Sequence, residues 1–581
     1  QKARSKAISA YDDNDAWDRS TDKNDNEFKM YLTKCKKENK TIIKLDSRWV
    51  DVAKVKENGK VIGKSRLTPR GFDDRSWEAT FYSGSPTVSS SSIRSSETLG
   101  LRKWLKGVLI DFSDAFFLGG YLNFPDQREI WLKVEELGVS NWRRLKKEVP
   151  GCKGAAISWF RRIGEFLADQ GYRMSSLDKC WFMKHSPSGD LIGSVPLHVD
   201  DCKCRFSKDE LASLQAALSD AGIKVGTLVM CAGRSVEFCG ISYSENDSGV
   251  EYDQNTYIQN KLTVPEKLKK SSENIEIESD GDYFLSTSDL AVYATNIGRL
   301  IWVLPTQLRS SYEISQMARR RTCARASDYN RLRTLILSIR LNPQRMTISR
   351  LNDQLGIKVI AVVDAGGSEK VKAPLKPRDQ QCIMILLAEA VPPGHASTTV
   401  IVYFASNGIA RICHSSFDME AVAGVSALDV SLNIRRGVGE FLFGVCPSFR
   451  DKEERARWEN SLPNLELHSD AMSFVKVVRS GTSHVLARRR ASDVEDVRQC
   501  MARRELSLIL HIRGPTNPVD VGTKPLLKCQ ESCKILDALV KSGKYAPDME
   551  HVSSYLNADE NMWINIMKFS EKHDLSYLDL A

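Results

Sequence analysis

The sequence predicts a mixed α and β chain of several domains, and three observations carry that reading. Strand-like apolar runs alternate with helical spacings along the chain. Two separate stretches, one opening near Ile42 and one near Ile357, each contain an apolar run that ends on an aspartate. The length, 581 residues, allows three to four domains at roughly 150 residues each, with a core of matching size.

Composition narrows the class. Apolar residues make up 42% and charged residues 27%, ordinary values that exclude wholesale disorder. No apolar run approaches the roughly 18 residues of a membrane span; the stretch from Cys382 to Val391 is broken by Glu389. The opening residues are polar and charged, without a signal-peptide pattern. The chain starts at Gln1 rather than Met, which predicts a piece cut from a longer polypeptide. Lysine plus arginine is 83 against 74 acids, a net charge of +9 that permits a polyanionic partner without demanding one. The basic runs Arg319-Arg320-Arg321 with Arg325, Arg488-Arg489-Arg490 and Arg503-Arg504 read first as solvated helix faces. The 14 cysteines show no repeated spacing. The close pairs, Cys202-x-Cys204 and Cys529-x3-Cys533, lack a matching pair or histidine frame, so they read as reduced thiols rather than a zinc site.

Taken in order, Ile42 to Phe72 reads as short strands, with Glu57-Asn58-Gly59-Lys60 as a hairpin turn into Val61-Ile62. A serine-rich stretch runs from Ser83 to Ser96, and the run Val108-Leu109-Ile110 ends at Asp111. Ile157, Phe160, Ile163 and Leu167 share a helical face. Leu191 to Val199 alternates as a strand ending at Asp200-Asp201. Glu273 to Gly281 is a polar, acidic linker, followed by helices to about Asn342. The second stretch opens with the buried-strand run Val359 to Val363, ending at Asp364. Strands at Ile383 to Leu387 and Thr399 to Phe404 follow, then a helix from Ser416 to about Ile434. Leu506, Leu508, Leu510 and Ile512 alternate along a last strand, and a helical tail follows Leu527.

Carboxylates at strand ends suit two-metal phosphoryl transfer. Magnesium is a hard ion that takes oxygen ligands, and two such ions can activate an attacking hydroxyl and stabilise a leaving oxygen. Rigid strand termini fix such ligands better than loops. Asp111 and Asp200-Asp201 stand at two such ends.

These residues carry a resemblance. Val108 to Gly120, VLIDFSDAFFLGG, resembles the first polymerase motif of copia-type retrotransposon reverse transcriptases, and His198-Val199-Asp200-Asp201 resembles their Tyr-Val-Asp-Asp box. Lys64-Ser65-Arg66-Leu67 with Gly71-Phe72 resembles the fingers segment KARLVAKGF, and Glu129 to Lys133 resembles EIYMK. Arg144 to Lys147, Gly151 and Trp159-Phe160 resemble KLKKALYGLRQAPRAWY, and Phe238 to Ile241 resembles FLGI. The order of the pieces over about 42–260 matches the family. The resemblance implies a right-hand polymerase in which Asp111, Asp200 and Asp201 are the catalytic carboxylates, with Asp111 and Asp200 the direct ligands. It implies that Lys64 and Arg66 hold the triphosphate and that Phe116 excludes a ribose 2′-hydroxyl. Four departures accompany it: His198 replaces the tyrosine, Pro196 interrupts the strand carrying the box, Gly154 stands where the family has glutamine, and serines at 89–96 thin a normally apolar helix.

A second set of acids follows. Asp364 ends its strand, Glu420 starts a helix after Ser415, Asp470 follows Leu465 to His468, and Asp520 lies in Val519 to Leu526. Ser415 to Glu420 resembles SSTEAE, Leu467 to Asp470 resembles LYCDN, and Val519 to Leu526 resembles ADIFTKPL of the ribonuclease H in the same elements. The resemblance implies that Asp364, Glu420, Asp470 and Asp520 bind two magnesium ions and activate water against the RNA of a hybrid. Tyr293 to Ile314 resembles the family's YRSLVGSLLYLTLTRPDI without its Arg-Pro-Asp core. The basic runs near 319 and 488 then gain a use as phosphate contacts. His414, His468 and His511 read as core or rim residues.

The expectation is therefore an α+β chain. Fingers and palm occupy 1–265, thumb and connection 266–350, a ribonuclease H-like α/β domain 351–527 and a helical tail 528–581. It would use two Mg2+ per site, with Mn2+ as substitute, and act on an RNA template, DNA primer, RNA–DNA hybrid and deoxynucleoside triphosphates. Other parts of a parent polyprotein are further expected partners, and no membrane is. The expected location is a cytoplasmic virus-like particle or the nucleus. The alternative is an inactive relic that folds and binds nucleic acid. If Phe116 gates the sugar, Phe116→Ala should admit ribonucleotides into primer extension; unchanged sugar selectivity would remove that role.

Overall fold

The computed structural model describes residues 2–55, 61–74, 86–122, 128–136, 138–268, 282–367, 377–447, 450–480 and 488–549. The hairpin turn expected at Glu57 to Lys60 and the linker expected at Glu273 to Gly281 lie outside these residues. Among the described residues no helix is long and apolar enough to cross a membrane.

The first sheet is five-stranded, in the order Trp17–Lys23, Val139–Leu145, Glu129–Glu136, Ile42–Val55, Val61–Pro69. Ile43 and Leu45 are buried while Lys44 and Asp46 are exposed, the period-2 pattern of a half-covered strand. The helix Lys2–Asp13 covers it, and the Tyr11 hydroxyl donates to the Leu67 carbonyl at 2.9 Å.

The second sheet holds the first acids. Its order is Val225–Met230, Lys106–Phe112, Asp201–Phe206, Leu191–His198, Trp181–His185, Arg173–Met174. The helix Ala155–Asp169 turns Trp159, Ile163, Phe166 and Leu167 into the core. This face is rotated from the expected one: Ile157 and Phe160 are only half-buried, because Trp159 outcompetes them for the space beside Phe112. Pro196 does not interrupt its strand, which runs unbroken from Leu191 to His198 with Pro196 opposite Trp181. The missing N–H is not needed there. The Trp181 carbonyl accepts from the Ser175 N–H at 2.8 Å, and the adjacent Leu197 N–H donates to the Cys180 carbonyl at 2.7 Å.

The serine-rich stretch forms the helix Ser90–Arg102, and nearly all of it is buried. Several of its hydroxyls have partners: Ser89 caps the Ser92 N–H at 3.1 Å, Ser96 meets Ser194 at 2.7 Å, and Thr98 donates to the Arg94 carbonyl at 2.7 Å. Glu97 on this helix is fully buried with Lys203 and Arg205 of the neighbouring strand. Its carboxylate bonds Lys203 Nζ and lies 2.6 Å from Arg205 Nη2, while Arg205 Nη1 reaches Glu245 at 3.0 Å. Burial pushes Glu97 up, but the two cations outweigh it and hold it below the usual carboxylate range.

A third, four-stranded sheet runs Ser235–Phe238, Ile241–Asn246, Gly249–Asp253, Met346–Ser349. The helices Asn255–Lys261, Thr287–Val303, Ser311–Arg319 and Ala326–Leu341 lie between its last two strands in sequence and share their own apolar cluster. The basic run at 319–321 is partly spent inside this unit. Arg320 pairs with Asp328 at 3.3 Å, and Arg325 stacks over Phe284 at 4.1 Å.

The fourth sheet holds the second acids, in the order Leu508–His511, Asn464–Ser469, Ile357–Gly366, Gln380–Glu389, Ser397–Gly408, Lys544–Tyr545. Ile357–Gly366 pairs antiparallel with Gln380–Glu389 and parallel with Asn464–Ser469. Burial on both faces explains its continuous apolar run. The helix Ser416–Phe443 extends past the expected end near Ile434. The tail contributes the helix Gln530–Ser542 and a short edge strand, Lys544–Tyr545, to this sheet.

One apolar cluster runs without a break from Val108 and Leu197 of the second sheet to Val359 and Leu467 of the fourth. Polar clamps reinforce it. Arg102 donates to the carbonyls of Asn352, Asp353 and Leu355, the last at 2.6 Å. Glu440 on the long helix is fully buried and accepts from Ser175 Oγ at 2.6 Å and from the Ser176 N–H at 3.2 Å. Removing Glu97 should cost far more than its net contribution, because it strands buried Lys203 and leaves buried Arg205 with Glu245 alone. Glu97→Gln is expected to lose about 3–5 kcal/mol of stability in chemical denaturation; a loss below about 1 kcal/mol would show the cations re-solvate.

Candidate functional site

Asp111 and Asp201 lie directly opposite one another on the antiparallel strands Lys106–Phe112 and Asp201–Phe206, so their side chains share a face. Asp201 is pushed up to about 6 by burial, then by the Asp200 charge and by a hydrogen bond with Asp111. Asp200 sits on the preceding turn. Val199 there has φ of 59°, a left-handed conformation that a β-branched residue rarely adopts. Two bonds hold the turn: Trp159 Nε1 donates to the Val199 carbonyl at 2.7 Å, and the Phe112 N–H donates to the Asp200 carbonyl at 2.9 Å. Gly226 lets its strand pass close to Asp111, since a Cβ there would lie 2.8 Å from Asp111 Oδ2 and collide with Ser113 Oγ. The strand register sets Asp201 against Asp111, with Asp200 on the adjoining turn.

His198 packs edge-on against Phe238 with ring centroids 6.2 Å apart, and burial holds its imidazole below the usual range against the Asp200 charge. Phe116 lies in the short turn Ala115–Phe117, half-buried against the core beside this hairpin's sheet. Lys64 and Arg66 lie exposed on Val61–Pro69, opposite Val52 and Val50, and carry no hydrogen bond or ion pair to these acids. Gly154 caps the helix Ala155–Asp169 without a side-chain bond.

The second set is tighter. Asp364, Asp470 and Asp520 offer carboxylate oxygens that all lie within 4.8 Å of one another, and among the described residues no other such group of three acids, histidines or cysteines occurs. Asp364 stands near the C-terminal end of Ile357–Gly366. Asp470 follows the parallel neighbour Asn464–Ser469. Asp520 comes from a short 3-10 turn, Pro518–Gly522. Gly522 is required there because a Cβ would run into Cys382 Sγ. Glu420, on the first turns of Ser416–Phe443, closes the group. Its Oε1 accepts from the Ala365 N–H at 3.3 Å, and its buried Oε2 has no hydrogen-bond partner.

Three groups that sequence reasoning did not single out hold these acids. Lys524 Nζ lies 2.8 Å from Asp520 Oδ1 and 3.8 Å from Asp364 Oδ2. Thr523 Oγ1 donates to Asp364 Oδ2, and Ser532 Oγ approaches Asp520 Oδ2 at 3.4 Å. The signal was present for Lys524: a base four residues after Asp520 inside a motif already noted. His511 Nε2 meets the Asp470 carbonyl at 3.1 Å, whereas His468 lies buried between Glu466 and Tyr545.

Crowding sets the charge state. Burial first, then the Asp364 charge, push Asp470 up to about 6 and Asp520 up to about 7, with Lys524 opposing both. Burial, Asp364 and Asp470 drive Glu420 well above the usual range. Lys524 is raised because the acids' attraction exceeds the cost of burial. Three clustered carboxylates beside one ammonium, with Glu420 close enough to feel their charge and its Oε2 unpartnered, offer an all-oxygen donor set for a hard divalent cation.

No protein-family model matches the chain. Among solved structures, a foamy viral protease-reverse transcriptase in complex with double-stranded DNA is similar at 12% identity and a TM-score of 0.42, over 84% of this chain and 69% of that one.

The sign of the pH effect follows. Asp470 and Asp520 hold protons in the folded state at pH values where the unfolded chain has lost them. Their contribution is therefore intact below the unfolded values near about 4 and is lost as pH rises through about 6 to about 7. Thermal unfolding without divalent ions should show this decline, and Asp470→Asn should flatten it. Magnesium should raise the melting temperature more at pH 8 than at pH 5. Equal increments at the two values would argue against a cation site here.

Proposed function

We propose that the chain is the reverse transcriptase and ribonuclease H portion of a copia-type retroelement polyprotein, copying RNA into DNA and degrading the RNA of the hybrid. The observation that carries this reading is the convergence of Asp364, Asp470 and Asp520, with Glu420, at one end of two parallel strands. The register of Asp111 against Asp201, with Asp200 on the adjoining turn, supports a second acid site on another sheet. In this reading fingers and palm span 1–265, thumb and connection 266–350, and the ribonuclease H unit 351–527.

Each site's residues have distinct tasks. Asp111, Asp200 and Asp201 would hold Mg2+ at the polymerising site, and Asp364, Glu420, Asp470 and Asp520 would hold it at the cleaving site. The ions, when bound, supply charge neutralisation for the attacking and leaving oxygens of phosphoryl transfer. Lys64 and Arg66, both exposed on one strand, are free to meet a triphosphate. Phe116 would shape the sugar pocket. Lys524 keeps Asp364 and Asp520 together. Exposed cations such as Arg321 and Arg503 remain for phosphate contacts with the hybrid, while Arg320 and Arg325 are engaged internally. The work would take place in a cytoplasmic virus-like particle or the nucleus.

The test uses the full chain with Mg2+, an RNA template and a DNA primer. Asp200→Asn should lower primer extension by roughly 100-fold or more and spare cleavage of hybrid RNA. Asp470→Asn should do the reverse. Loss of both activities in either variant would count against separate sites. A folded wild-type chain that binds hybrid and performs neither reaction would establish the relic.

A further inference from the structure

The close pair Cys529-x3-Cys533 has no part in either acid site, yet it lies against the loop that carries Lys524. Cys529 is the N-cap of the helix Gln530–Ser542 and is buried, while Cys533 is half-buried on that helix's first turns. Their sulfurs lie 4.0 Å apart. The Cys529 thiol points back at the carbonyls of Lys524, Pro525 and Leu526, at 3.9, 3.5 and 3.8 Å. Its single S–H is shared among these acceptors and adds one contact at the far end of the Thr523-Lys524 segment that bonds Asp364 and Asp520, beside the Lys528 and Cys529 N–H groups that donate to the Pro525 and Leu526 carbonyls at 2.8 and 3.3 Å. The helix itself is anchored by Asp537 on Arg309. The Cys529 contact and the Arg309 charge bring the Cys533 thiol down to about 7 against the effect of burial. A half-exposed, readily ionised thiol beside a buried partner is the arrangement of an attacking and a resolving cysteine.

We propose that Cys533 and Cys529 form a peroxide-sensitive thiol pair whose oxidation to a disulfide loosens the Lys524 loop and weakens the Asp364–Asp520 acid site. The Cys533 thiolate attacks one peroxide oxygen, the O–O bond breaks, and hydroxide leaves to be protonated by solvent. The resulting sulfenic acid is attacked by the Cys529 sulfur; the S–O bond breaks and water leaves with the Cys529 proton. Two thiols lose two electrons and one hydrogen peroxide becomes two waters. The i, i+4 placement across a helix start keeps the Cα atoms within the reach a disulfide requires. Once bonded to Cys533, Cys529 has no S–H for the carbonyls of 524–526 and its sulfur is drawn toward the helix, so the loop that carries the ammonium loses one of its contacts.

The inference rests on the ribonuclease H reading only for its activity readout. The full chain with Mg2+ is titrated with hydrogen peroxide and digested with trypsin. The peptide 529–534 holds both thiols and should lose the mass of two hydrogens before other cysteine peptides oxidise. Hybrid-RNA cleavage should fall roughly tenfold, as when a group orienting metal ligands is removed, and dithiothreitol should restore it. Cys533→Ser should cleave normally and resist peroxide. The Mg2+-induced rise in melting temperature should shrink in parallel, a reading that stands even if the reduced chain cleaves nothing. Irreversible sulfinic acid on Cys533, or a disulfide that leaves both cleavage and the Mg2+ shift unchanged, would overturn the proposal.

Discussion

Four carboxylates gathered at one end of two parallel strands are the constraint that most of the C-terminal half answers to. Like charges about 4 Å apart repel by about 4 kcal/mol even at a generous internal dielectric. The fold meets that cost by rigidity. Val359, Ala361, Val363, Leu465 and Leu467 are fully buried behind the acids, so neither strand can retreat. Lys524 and Thr523 bond Asp364, and burial with crowding raises the affinity of Asp470, Asp520 and Glu420 for protons that would remove part of the charge. A hard cation would replace those protons, which is why the acids' crowding and a cation's affinity are two views of one strain.

The first acid set solves a milder version of the problem differently. Asp111 and Asp201 face each other in register, and a strained Val199 turn carries Asp200 beside them. Trp159 and Phe112 hold that turn from the core side. The two sets sit on different sheets, yet the apolar cluster between them is continuous. The long helix Ser416–Phe443 makes the link concrete, since Glu420 near its start joins one acid site while Glu440 near its end is buried among serines of the other sheet's loop.

Much of this was legible in the sequence where a short-range rule applies. The runs ending at Asp111 and Asp364 read as strands because burial on both faces demands continuous apolar residues. Asp200-Asp201 read as a strand-end pair because alternation stops there. Ser415 read as a helix start, and the Asp418 N–H does donate to its hydroxyl at 3.2 Å. Other features resisted. Pro196 read as a strand breaker because the rule assumes a partner carbonyl that needs its N–H, and here the Trp181 carbonyl is satisfied by the Ser175 N–H. The serines at 89–96 read as a thinned helix because their partners, Ser194 among them, come from distant strands. The helix 155–169 showed apolar periodicity, but which side Trp159 would claim depended on Phe112.

The sequence by itself determined the elements and which acids stand at their ends, because strand and helix periodicity are properties of neighbouring residues. Tertiary structure alone decided which of those acids meet. Asp364, Glu420, Asp470 and Asp520 are separated along the chain and converge only through sheet pairing and one helix crossing. The same holds for Lys524 against Asp364, for Glu97 against Lys203 and Arg205, and for Asp201 rather than Asp200 opposite Asp111. A charge's partner is set by distance in space and by the dielectric around it, and neither is written in local spacing.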